Sequence, residues 1–216
     1  MFELNGHINA SVGKCANRIA WIRHGDRLVV MLADGAGNHA GAGFAAEFAI
    51  RNAMKFAGRE KQPLQAAQWL NIVQEIDEPL SMEPSGETTL VVADIGRDRI
   101  SGAGIGDSKT FILSDGLTDL TAKQQRAPLL GSGGAVAREY ESGWGDGIVL
   151  ICNDGLHKYA AREKLVAGAQ GLDAAALIEL ARLPNGTLFD DAGCVLVRRG
   201  KTTTLPEGTI QHIQSS

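Results

Sequence analysis

The sequence is short of the features that would send a chain to a membrane, a nucleic acid or an oxidising compartment. No apolar run approaches the roughly 20 residues needed to span a bilayer. Met1 to His7 shows no basic patch followed by a long apolar core, so no signal peptide is expected. Lys and Arg number 21 against 25 Asp and Glu, a net charge of −4, and no segment is dense in basic residues, which argues against nucleic acid as a partner. Cysteine is scarce: Cys15, Cys152 and Cys194 are far apart and odd in number, with no Cys-x-x-Cys spacing. Cys152 and Cys194 lie inside apolar runs, where reduced, buried thiols are expected, and this points to the cytoplasm. Internal repeats and Pro/Ser-rich linkers are absent, so a single domain is expected over 1–200, followed by a polar tail, 201–216, whose order the sequence leaves open.

What is present is an ordinary globular composition, 44% hydrophobic and 21% charged in 216 residues, enough for one well-buried core. Leu28-Val29-Val30-Met31-Leu32 is a continuous apolar run that suits a strand buried on both faces. It runs into Ala33-Asp34-Gly35-Ala36-Gly37-Asn38-His39 and then a helix-forming segment from Gly43 to Ala57. An aspartate followed by glycines at a strand exit admits three readings. It can be a tight turn, a phosphate cradle, or a hard-cation site that uses the Asp34 carboxylate and the Gly35 carbonyl. The cradle is weakened because Gly-x-Gly-x-x-Gly is out of frame and no Gly-Lys-Ser/Thr follows.

The remaining pattern is strands, a helix pair, strands, then helices and a closing strand. Strands are expected at Phe2–Ser11, Arg18–Arg23 and Arg27–Leu32, and a second helix from Pro63 to about Ile76. Pro79–Gly86 reads as a loop. Thr88–Asp94, Arg99–Ile105 and Lys109–Ser114 read as an antiparallel meander, with a short strand within Gly116–Thr121. Ala122–Asp146 reads as a long surface loop or flap. A buried strand at Gly147–Cys152 ends in Asn153-Asp154-Gly155, helices follow near Tyr159–Ala167 and Asp173–Leu183, and Ala192–Val197 closes the core.

Asp34, Asp107, Asp154 and Asp190 each stand at an end of an apolar β-type run. Clustered carboxylates repel one another unless cations neutralise them, and an oxygen-only donor set suits Mg²⁺ or Mn²⁺. Four ordinary turn aspartates would give the same spacing. In order along the chain, however, the sequence resembles the metal-dependent protein phosphatases of the type 2C class, including their bacterial members. Asp34-Gly35-Ala36-Gly37-Asn38-His39 resembles the family's Asp-Gly-x-Gly-Gly-His turn, and Gly86-Glu87-Thr88-Thr89-Leu90 its Ser-Gly-Ser-Thr-Ala strand. Gly106-Asp107-Ser108-Lys109 resembles Gly-Asp-Ser-Arg, Asn153-Asp154-Gly155-Leu156 resembles Ser-Asp-Gly-Leu, and Asp190-Asp191 resembles the closing acid pair. The match runs to about Arg199.

The resemblance implies an α+β fold, a central antiparallel β-sandwich flanked by helix pairs, with a metal centre at one end. It implies that Asp34, the Gly35 carbonyl, Asp154 and Asp190 hold two Mn²⁺ or Mg²⁺ ions, and that Asp107 helps to hold a third. It further implies hydrolysis of phosphoserine or phosphothreonine by a metal-activated water, with Asp34, Asp154 and Asp190 as catalytic residues and His39 donating a proton or orienting water. The implied partners are a phosphorylated protein substrate and a cognate kinase. Departures lie upstream. The family's Arg-x-x-Asn-Glu-Asp becomes Lys14-Cys15-Ala16-Asn17-Arg18-Ile19. Lys14 keeps the phosphate-binding charge but loses the bidentate fork, and the acids become Arg18 and Ile19. The alternative is therefore a phosphatase-like binding or regulatory module with impaired catalysis.

Overall fold

The computed structural model describes residues 1–13, 15–36, 40–200 and 211–213, with the backbone alone at 40 and 211–213. The expectations placed on Lys14 and His39 lie outside the described residues. Eleven strands and six helices are described, in the order β1 (Phe2–Asn9), β2 (Asn17–His24), β3 (Arg27–Asp34), α1 (Ala40–Arg59), α2 (Ala66–Gln74), α3 (Asp77–Ser81), β4 (Leu90–Ile95), β5 (Arg99–Ile105), β6 (Lys109–Leu113), β7 (Leu117–Asp119), β8 (Arg138–Gly143), β9 (Ile148–Cys152), α4 (Asp154–His157), α5 (Arg162–Ala169), α6 (Ala174–Glu179), β10 (Ala192–Arg199) and β11 (Gln211–Ile213).

The strands form two antiparallel sheets, ordered β1-β10-β9-β6-β7 and β11-β2-β3-β4-β5-β8. Period-two alternation sorts their side chains. Ile19, Trp21, Leu28, Val30 and Leu32 point between the sheets and meet Val149, Ile151, Val195 and Val197. Their neighbours Ala20, Ile22, Val29, Met31 and Ala33 face α1 and α2, where Ala45, Ala49, Ile50, Trp69 and Val73 cover them. On the other sheet Leu150, Cys152 and Leu196 face Leu165 of α5 and Leu177 and Ile178 of α6. The result is a four-layer α-β-β-α sandwich, in which each fully buried aliphatic side chain contributes about 1.5–3 kcal/mol.

Local chemistry moves several element boundaries. The second helix starts at Ala66 and not at Pro63, because the Leu64 N–H is taken by the Asp94 carboxylate at 2.9 Å and the Gln65 N–H by the Gln68 side chain at 2.8 Å. The expected loop from Pro79 begins as α3, whose third residue is Pro79; a missing N–H costs nothing in a first turn. The expected flap contains β8, an edge strand in which Tyr140 is the one buried residue and so gives no alternating signal. Its preceding segment is not loose. Asp77 accepts hydrogen bonds from the N–H groups of Gly131, Gly133 and Ala135 at 2.8, 3.2 and 2.9 Å. The helix expected at Tyr159 starts at Arg162. Among the described residues no helix is long and apolar enough to cross a membrane, and all three cysteines are free and buried.

Candidate functional site

Strand register brings the four aspartates to one end of the sandwich. The end of β3 lies beside the start of β2, with Asn17 opposite Asp34, and near the start of β4, with Leu32 opposite Val91. Leu90 in turn faces Ile105, so β5 also ends here. The turn Gly106-Asp107-Ser108 follows, Lys109 faces Cys152, and Cys152 faces Cys194, which places Asp154 and Asp190 at the same end.

Asp34 sits deepest. One carboxylate oxygen, Oδ2, accepts a hydrogen bond from the side-chain amide of Asn153 at 2.8 Å. Asn153 also donates to the carbonyl of Asp191 at 2.6 Å and accepts from the N–H of Gly193 at 2.9 Å, so its ring of partners fixes where the Asp34 carboxylate can lie. The carbonyl of Asp34 is tied to the segment leading into β4 by the N–H of Thr89 at 2.9 Å and the hydroxyl of Thr88 at 3.0 Å. Its own N–H donates to the Thr89 hydroxyl, which shares a 2.7 Å hydrogen bond with Ser108, linking the Asp34 and Asp107 turns. Gly35 packs against α1 so closely that a Cβ there would fall 2.2 Å from the carbonyl oxygen of Ala42.

Burial raises the pKa of Asp34 well above the ordinary carboxylate value; the Asn153 hydrogen bond opposes this, and the negative charges of Asp154, Asp190 and Asp191 add to it. Asp190 is raised as well, first by burial and then by Asp154 and Asp191, although it accepts a 2.8 Å hydrogen bond from the Asp191 N–H. Asp191 itself faces the β1–β2 connection, where it accepts from the Ser11 N–H and hydroxyl at 2.7 and 2.9 Å and from the Ala16 N–H at 3.2 Å. It thereby ties the residue before β10 to Ser11 and Ala16.

The other half of the end is organised around a lysine. Lys158, four residues after Asp154, donates to Asp154 Oδ2 at 2.8 Å and to Asp107 Oδ2 at 2.7 Å. Burial acts to lower its pKa, but these two hydrogen bonds prevail and raise it. Arg126 adds a 3.1 Å contact to the same Asp107 oxygen. The ring Nε2–H of His157 donates to the Asp107 carbonyl at 2.9 Å, and burial lowers the pKa of that imidazole.

The upstream departures separate by strand parity. Ile19 points between the sheets and is fully buried, whereas Arg18 turns toward α1, donating to the carbonyls of Cys15 and Asn17 and lying 3.7 Å from Glu47. Asn17 is also fully buried, and among the described residues neither polar atom of its carboxamide has a hydrogen-bond partner.

Among the described residues no three His, Cys, Asp or Glu side chains form a ready-made metal cage. The donor chemistry nonetheless suits a hard divalent ion on the Asp34 side: Asp34 and Asp190 are raised first by burial and then by neighbouring carboxylates, and Lys158, which pairs with Asp154, offsets only part of that charge. It fits poorly between Asp107 and Asp154, where Lys158 already supplies the positive charge. Of the residues singled out in sequence, Asp34, Gly35, Asp107, Asp154 and Asp190 are all brought to this end. Asn153, Lys158 and Arg126 were not foreseen; the i,i+4 spacing of Asp154 and Lys158 is the one signal that could have found Lys158.

No protein-family model matches the sequence, and no curated protein matches it. Solved structures do match the fold. A bacterial serine phosphatase superposes with a TM-score of 0.79 at 15% identity, covering 94% of this chain and 100% of that one. The catalytic domain of the serine threonine protein phosphatase PstP, in complex with two manganese ions, gives 0.73 at 21% identity, covering 91% and 97%. The serine/threonine phosphatase Stp1 from Staphylococcus aureus gives 0.76 at 15% identity, covering 93% and 96%. The chain thus has the α+β fold of the bacterial serine/threonine phosphatases of the type 2C class.

Proposed function

We propose that the chain is a metal-dependent phosphoprotein phosphatase that hydrolyses phosphoserine or phosphothreonine in a protein substrate. The observation that carries this is the convergence of Asp34, Asp154 and Asp190 at one end of the sandwich, close enough for Asp154 and Asp190 to raise the pKa of Asp34. Buried, mutually repelling carboxylates, only partly offset by Lys158, suit a cation, and they lie on a fold shared with phosphatases.

In this reading Asp34, Asp154, Asp190 and the carbonyl of Gly35 hold Mn²⁺ or Mg²⁺. When bound, such an ion stabilises charge on the phosphoryl oxygens and lowers the pKa of water. The chain's own residues set the stage. Asn153 holds Asp34 Oδ2 and so fixes the plane of that carboxylate. Asp191 grips the backbone at Ser11 and Ala16, and Lys14, which lies between them in sequence, is the residue assigned to the substrate phosphate. His39 is assigned the proton of the leaving oxygen.

A second reading is favoured by Ile19 and Arg18. Where the resembling family carries acids, one position is an aliphatic residue buried between the sheets and the other faces α1 beside Glu47. Loss of groups that support bound ions commonly lowers metal affinity or activity about 10–100-fold. A chain with that loss and no turnover would be a phosphoprotein-binding module.

The test is release of phosphate from a small aryl phosphate and from a phosphothreonine peptide, with and without Mn²⁺, beside Asp154→Asn. Mn²⁺-dependent turnover abolished by the substitution supports the proposal. Turnover equal in the variant and the parent chain overturns the assignment of Asp154, and absence of turnover together with peptide binding favours the module.

A further inference from the structure

Asp107 and Asp154 come from elements far apart in sequence, the β5–β6 turn and the start of α4, and their carboxylates are bridged by one ammonium. Lys158 Nζ lies 2.7 Å from Asp107 Oδ2 and 2.8 Å from Asp154 Oδ2. These are the separations of charge-assisted hydrogen bonds, and an atom between the two oxygens leaves no room for a divalent ion, which would need both at about 2.0–2.6 Å. The surroundings hold this arrangement in place. Gly106, at a φ of 91°, gives the turn its shape. Gln124 donates to the carbonyls of Gly106 and Ser108 at 2.7 and 3.1 Å, and His157 donates to that of Asp107. Arg126 brings a second positive group to Asp107. A divalent ion entering here would meet two cationic side chains and would have to expel the first.

We propose that Lys158 is a built-in counter-cation. Its ammonium takes the place of a metal ion between Asp107 and Asp154, so Asp107 positions Lys158 and is not a metal ligand. Divalent ions are confined to the side formed by Asp34, Asp154 and Asp190. This rests on the reading of the acidic end as a cation site, and it gives Asp107 a role other than the metal ligand that the resemblance implies. The sharing of Asp154 between Lys158 and the Asp34 side gives the lysine a structural consequence: it holds one Asp154 oxygen with a fixed charge whether or not an ion is present.

The test counts Mn²⁺ ions by calorimetry and by electron paramagnetic resonance, in the full chain and in Asp107→Asn, Lys158→Met and the double variant. Lys158→Met keeps most of the side-chain stem, and Lys158→Gln serves beside it, with circular dichroism confirming the fold of each. The expected result is an unchanged Mn²⁺ count in Asp107→Asn, one additional ion in Lys158→Met, and loss of that additional ion in the double variant. A lower count in Asp107→Asn than in the parent chain overturns the inference, as does a Lys158→Met chain that gains no ion. Hydrolysis is not the readout. A chain that counts ions as expected but releases no phosphate supports this inference and counts against the proposed function instead.

Discussion

The side-chain amide of Asn153 donates a 2.8 Å hydrogen bond to the carboxylate of Asp34, joining the end of β9 to the end of β3 across the mouth of the sandwich. Asn153 is fully buried and uses its remaining groups on the Asp191 carbonyl and the Gly193 N–H. It is the hinge pin on which the acidic end is aligned. Asn153→Ala is expected to lower metal-dependent phosphatase activity by about 10–100-fold, because a mispositioned Asp34 holds an ion less well. The same change leaves buried polar groups unpaired and costs about 1–3 kcal/mol of stability. Metal titration of activity beside chemical denaturation separates the two effects: excess Mn²⁺ restores part of the activity if alignment is the cause.

The charge of Asp34 makes a second prediction with a definite sign. Its pKa in the folded chain is raised above the unfolded value, so between those two values the folded state binds more protons than the unfolded one. Stability of the metal-free protein therefore falls as pH rises through that interval, and the loss persists at neutral pH. Asp34→Asn removes the penalty. In the presence of a chelator at pH 7 the variant is expected to melt above the parent chain, each kcal/mol corresponding to about 2–4 °C in Tm. A melting temperature equal to or below that of the parent would show that Asp34 is not strained by its charge.

At the other end of the sandwich, Arg27 and Asp94 form a fully buried bidentate pair at 2.9 and 2.7 Å. Asp94 also accepts from the Leu64 N–H and the Trp69 indole, each at 2.9 Å, and Arg27 reaches the carbonyls of Ala57 and Glu60, so the pair ties α1 and α2 to the sheet. Removing one partner strands a buried charge. Asp94→Ala should cost about 3–5 kcal/mol in urea unfolding, and a paired apolar replacement of both residues should recover much of it.

Asp77 supports the segment leading to β8 through three backbone N–H groups. Asp77→Ala is expected to raise amide exchange at 131–137 while leaving the sandwich strands protected, because the lost bonds hold a connection and not the core. Uniformly faster exchange would contradict this local role.

Much of the scaffold is legible in the chain. The run from Leu28 to Leu32 reads as a strand buried on both faces and is one, because each of its sides meets a different layer. Asp34, Asp107, Asp154 and Asp190 could be suspected of meeting because each closes or precedes an apolar strand. What could not be read was partnership across the sheets. Lys158 bridges Asp107 only because the β5–β6 turn and α4 share one end of the sandwich, a consequence of register. Arg18 could have faced either way until pairing with Ala33 fixed its parity, and β8 is hidden because Tyr140 is its only buried residue. Pro79 reads as a loop residue in sequence, yet a proline in the first turn of α3 is well tolerated.

The most direct test of the central claim is phosphate release from a phosphothreonine peptide across a titration of Mn²⁺, with the parent chain beside Asp34→Asn. The account predicts a saturable rise from background in the parent, complete reversal by a chelator, and a rate in the variant lower by at least about 100-fold. Phosphate release that is indifferent to the chelator, or equal in the two proteins, would contradict it.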